Sequence, residues 1–194
     1  MISSGGVLAS AAEVEQFCQN QNLRFCFIGG LAVQRWGSPR FTQDVDSTIL
    51  ASFGEEAAIV DPILQRFPGR RSDAREFALA HRVILARTSS GVDLDFSLGG
   101  LAFEEGSIQR ASIWQATQTI HLTTCLAEDL VIHKAFAGRA RDWSDVESVL
   151  VRQHGKLDLA HIRAELPPLL ELKEEIESLT KLEQMIAAVA FRMR

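Results

Sequence analysis

Two segments of this sequence set aspartates at alternate positions of otherwise apolar, strand-like runs. Asp44-Val45-Asp46 precedes Ser47–Leu50, and Asp93-Leu94-Asp95 precedes Phe96–Leu98. Residues two apart in a strand point to the same face, about 6.6 Å apart along the chain, so each pair projects from one side. If the two strands are neighbours in one sheet, as many as four carboxylates converge on one small volume. Without a counter-charge such a cluster has strongly raised pKa values and costs stability. The pattern therefore calls for a fold that brings a cation to one sheet face. Aspartate oxygens suit Mg²⁺ or Mn²⁺, which keep several waters and also bind phosphates. Two such ions about 3.5–4 Å apart can activate a hydroxyl and stabilise the departing oxygen of a phosphoryl displacement.

The remaining elements follow from periodicity and punctuation. "LASAAEVEQFCQNQ" carries a helical stripe, "LRFCFI" is a short aromatic strand stopped by Gly29-Gly30, and "LAVQRW" leaves those glycines as a short helix. After the strand "DVDSTILA", "GEEAAIVDPILQRF" reads as a helix that Pro62 either kinks or restarts. "AREFALAH" is a further short helix, and "RVILART", "SSG" and "VDLDFSL" form a β-hairpin. "FEEGSIQRA" is helical and "QTIHLTT" extended; everything from Leu126 onward is helical, ending in one long helix from Leu169. The expected architecture is α+β: a small mixed sheet with flanking helices over residues 1–122, then a helical bundle over 123–194.

Composition narrows the chemistry. The chain has 194 residues, 46% hydrophobic and 23% charged, with net charge −5, which excludes a generally basic nucleic-acid coat. Charge is uneven, however: six arginines (66, 70, 71, 75, 82 and 87) face only Asp73 and Glu76 within their segment, as expected of a face that guides a polyanion or of a solvated surface. No secretory leader or membrane-spanning run is recognisable, and Cys18, Cys26 and Cys125 lack metal-ligand spacing, so a reducing cytoplasm is the expected location. The five histidines form no zinc signature, and no serine lies in a Gly-x-Ser-x-Gly elbow.

Gly29-Gly30 completes the pattern. A strand ending in two glycines and opening a helix presents bare backbone N–H groups, a natural phosphate cradle, and thirteen residues separate Gly30 from Asp44. Glycines, spacing and the two aspartate strands together resemble the signature of the polymerase-β-type nucleotidyltransferase superfamily. "GGLAVQRWGSPRFTQDVD" is similar to its AbiEii-like abortive-infection toxin branch, as is "LAEDLVIHKAFAGRARDWSDVESVL". The resemblance implies a nucleotidyltransferase core in which Asp44 and Asp46 hold Mg²⁺ or Mn²⁺ and Asp95, or failing it Asp93, completes the site. Gly29, Gly30, Arg40 and Thr42 would hold the NTP, with Lys134 reaching the triphosphate and Asp142 assisting. Gly30 stands where many relatives carry serine, so a hydroxyl is missing there. Asp142 equally has the character of an N-cap for "WSDVESVL", and Lys134 that of a snorkelling surface residue. The implied reaction is transfer of a nucleoside monophosphate to an acceptor hydroxyl: RNA, particularly a tRNA 3′ end, with an antitoxin as partner, or else a small molecule, as in antibiotic-modifying relatives. A nucleotide-binding module without activity shares the same frame.

Overall fold

The computed structural model describes residues 4–193. Two compact units emerge: residues 1–31 with 41–125, and residues 32–40 with 126–194. The first unit runs to Cys125, and the strand at His121–Thr124 belongs to its sheet.

In the first unit, strands β1 (Phe25–Phe27), β2 (Asp44–Leu50), β3 (Val83–Arg87), β4 (Asp93–Gly99), β5 (Ser112–Gln115) and β6 (His121–Thr124) form one sheet in the order β3-β4-β2-β1-β6-β5. β2 runs parallel to β4, and β1 parallel to β6; the other pairings are antiparallel. β5 lies in a stretch to which the sequence reading gave no element. Its short "SIWQ" alternation is stabilised by pairing with β6 across the turn at Thr117–Ile120.

Strand alternation decides which side is core. Val45 and Ile49 of β2, and Leu94, Phe96 and Leu98 of β4, are buried against α1 (Ser4–Asn20), α3 (Glu56–Arg66) and α4 (Ala74–His81). From those helices come Val7, Ala11, Val14, Cys18, Val60, Ile63 and Ala78. Burial beside Glu15 pushes the Cys18 thiol up to about 12. Pro62 lies inside α3 without ending it. The opposite face takes α5 (Ala102–Arg110) only over its far half, where Gly99 lies between Thr48 and Glu104. Its near half carries the aspartates.

The second unit packs α6 (Ala127–Ala137) against α7 (Ala140–Arg152), α8 (Leu159–Leu172) and α9 (Glu177–Arg192). Gly138, at φ +70°, closes α6. The segment after Leu31 joins this unit through hydrogen bonds: Gln153 donates to the Trp36 carbonyl at 2.9 Å and Arg152 to that of Gly37 at 2.5 Å. The helices divide differently from the sequence reading. α8 continues through Pro167-Pro168, and the break falls at residues 173–176, with Glu174 at φ +56°. Glu171, Glu174, Glu175 and Glu177 sit at repelling helical spacings across that break. Once the chain restarts, Glu177 lies in the first turn of α9, where the helix dipole favours it.

Candidate active site

The parallel register of β2 and β4 sets Asp44 beside Asp93 and Asp46 beside Asp95. Neighbouring strands lie about 4.8 Å apart, so four carboxylates share the half of the sheet face that α5 leaves open. All four are half-buried. Their apolar neighbours Val45 and Leu94 are fully buried on the other side, so the register cannot slip without turning charge into the core.

Gly29 stands one residue past the end of β1, after Ile28, and opens α2 (Gly29–Trp36) at φ +55°. A Cβ there would fall on the Asp46 carboxylate, so this glycine is required twice, by its backbone and by its neighbour. Gly30 donates its N–H to Asp46 Oδ2 at 3.4 Å. A side chain on Gly30 would meet the Thr42 hydroxyl. That hydroxyl is buried and donates to Asp44 Oδ1 at 2.7 Å. Thr42 thus fills the space a residue-30 hydroxyl would take, and the missing serine has a local substitute.

The cation that meets this face in the structure is a guanidinium. Arg70 donates Nη1–H to Asp93 Oδ2 at 2.9 Å and Nη2–H to Asp95 Oδ1, while Arg87 Nε–H donates to Asp93 Oδ1 at 2.6 Å. The two carboxylates respond differently. The Arg87 hydrogen bond, helped by Arg70, holds Asp93 below the usual carboxylate range. Burial pushes Asp95 up, and the charges of Asp44 and Asp93 add to that rise against the pull of Arg70.

These residues fit a divalent cation. The donors are all hard oxygens on one face, and Asp95, raised first by burial and then by the charges of Asp44 and Asp93, would gain from a cation beside it. No three His, Cys, Asp or Glu side chains among the described residues come together as a ready-made metal site.

The other expected residues form a cluster of their own in the second unit. Lys134 is neither exposed nor snorkelling: it is buried, with Nζ at 2.9 Å from both Asp142 Oδ1 and Asp145 Oδ2. Arg40 forks onto Asp145 at 2.7 and 2.8 Å. Asp142 is not the N-cap of α7. It occupies the third helical position and accepts from the backbone and side chain of Arg139, the capping residue. Burial raises both carboxylates, but Arg139 and Lys134 at Asp142, and Arg40 and Lys134 at Asp145, outweigh it, leaving both below the usual range. Asp145 was not among the expected site residues; its i, i+3 spacing from Asp142 is the signal in the sequence that points to it.

No family model matches the sequence, and no curated protein does. Solved structures do. The antigenic nucleotidyltransferase-like protein from Paracoccidioides brasiliensis superposes with a TM-score of 0.53 at 15% identity, over 90% of this chain and 95% of that one. ANT(2'')-Ia in complex with adenylyl-2''-tobramycin aligns at a TM-score of 0.45 and 18% identity, over 96% and 98% of the two chains. The first of these establishes the fold: a mixed six-stranded sheet with flanking helices, of the nucleotidyltransferase type.

Proposed function

We propose that this chain transfers a nucleoside monophosphate from an NTP to an acceptor hydroxyl, releasing pyrophosphate. The observation that carries the reading is the register that pairs Asp44 with Asp93 and Asp46 with Asp95 on an open sheet face beside Gly29. Asp44, Asp46 and Asp95 are the residues that would hold Mg²⁺ or Mn²⁺, since Asp93 is held by two arginines. When bound, the ion supplies positive charge to the triphosphate and makes the acceptor hydroxyl more acidic. The backbone at Gly29 and Gly30 cradles phosphate, and the Thr42 hydroxyl fixes Asp44. Arg40 and Lys134 are assigned to the triphosphate by the resemblance, with Asp142 and Asp145 positioning them.

The acceptor we favour is a small polyhydroxylated molecule. Arg66, Arg70, Arg71, Arg75, Arg82 and Arg87 each pair with a carboxylate: Glu13, Asp93 and Asp95, Asp73, Asp61, Glu56, and Asp93 again. A segment so neutralised has little charge left for an RNA backbone, on which the tRNA acceptor and the toxin–antitoxin setting depend. Pyrophosphate release from Mg²⁺-NTP tests this, with either aminoglycosides or total tRNA as acceptor. The prediction is release with the small acceptor, changed less than about twofold by Arg71→Glu/Arg75→Glu or by raised salt. Release only with tRNA, falling steeply in that variant, would establish the RNA acceptor instead.

A further inference from the structure

Arg70 reaches the aspartate face from the loop between α3 and α4. That loop is fastened to the outer edge of β3: Gly69 bridges to Ala86, and the Arg70 N–H donates to the Leu85 carbonyl at 2.9 Å. Leu85 is the cross-strand partner of Asp95, which is in turn the partner of Asp46. Arg70, Leu85, Asp95 and Asp46 therefore form one row across the sheet, and the Arg70 side chain spans it to reach Asp93 and Asp95. The fit of Arg70 is incomplete, because its Nε is buried with no hydrogen-bond partner among the described residues. A buried donor left unpaired costs free energy, so only the gain from two carboxylates keeps the side chain in this place.

Resting on the metal-site reading above, we infer that Arg70 is a positioning residue: it is the resident counter-ion of Asp95 and must release that carboxylate before a divalent ion can use it. Arg70 neutralises the cluster in the free protein and lowers its affinity for free metal. Arg70 holds Asp93 and Asp95, so it is at Asp95 that the guanidinium and a divalent ion compete.

Mn²⁺ binding without nucleotide, followed by electron paramagnetic resonance and by calorimetry on the full chain, tests this. Arg70→Gln is predicted to bind Mn²⁺ about tenfold more tightly than the wild type, the scale of one lost charge-assisted contact. Arg70→Lys keeps the charge but not the fork, so its gain is predicted to be smaller, about threefold. This second variant preserves the test if the first does not fold. Arg87→Gln removes the same charge but touches only Asp93 and is predicted to leave the affinity near the wild type. Equal, measurable affinity in the wild type and both Arg70 variants overturns the role of Arg70 and leaves the metal site standing. An equal gain in Arg87→Gln also overturns it, by reducing the effect to net charge. No Mn²⁺ binding in any folded chain, with or without NTP, overturns the metal-site reading itself and this inference with it.

Discussion

At Gly30 and Thr42, two residues compete for one volume. A side chain at residue 30 would occupy the position of the Thr42 hydroxyl, which anchors Asp44. Gly30→Ser alone is therefore expected to displace Thr42 and lower turnover by about tenfold or more, whereas combining it with Thr42→Gly exchanges the two and recovers most of the loss. A double-mutant cycle on kcat checks the coupling; additive losses would show that the two sites are independent. Such pairings were hidden from the sequence. Gly29-Gly30 and the two Asp-x-Asp strands were legible because glycine punctuation and period-2 alternation act locally. That Thr42 stands in for a serine, and that Arg70 faces Asp95 rather than solvent, depends on side chains brought together by the register of the sheet.

Among the elements, the α6–α7 pair depends on a buried ionic cluster. Asp142 and Asp145 lie below the usual carboxylate range, so they contribute stability above an unfolded pKa of about 3.9 and lose it as pH falls through their lower folded values. Lys134→Met leaves two buried carboxylates short of a cation and is predicted to cost about 3 kcal/mol. Its acid unfolding is predicted to begin at higher pH, since burial then pushes both groups upward with less opposition. Urea unfolding across pH 3–7 by circular dichroism checks both statements; unchanged stability would mean that Arg40 and Arg139 suffice. The break between α8 and α9 gives a second test. Glu174 holds a left-handed backbone at φ +56°, so Glu174→Gly is expected to stabilise the fold by about 0.5–1 kcal/mol, read as a higher Tm. The sequence located these helices but placed the break at Pro167-Pro168, because a proline pair is the stronger local signal. The glutamate run that opposes continuation acts only through neighbours three and four apart.

For the whole molecule, the carboxylate face and the glycine turn are what carry the proposed nucleotidyl transfer, on a fold shared with a nucleotidyltransferase-like protein. Among the described residues no helix is long and apolar enough to cross a membrane, and the three cysteines are buried and form no disulfide. Fold class was legible because alternation and helical periodicity follow from local physics. The state of the arginine-rich segment was not, because its six arginines pair with carboxylates, several of them distant in the chain. The most direct measurement is label transfer from each α-labelled NTP in Mg²⁺, with aminoglycosides or total tRNA as acceptor, beside an Asp44→Asn/Asp46→Asn control. The account predicts an NMP adduct formed by the wild type and lost in the control. No adduct on either acceptor, together with no Mg²⁺-dependent NTP binding by the wild type, would contradict it.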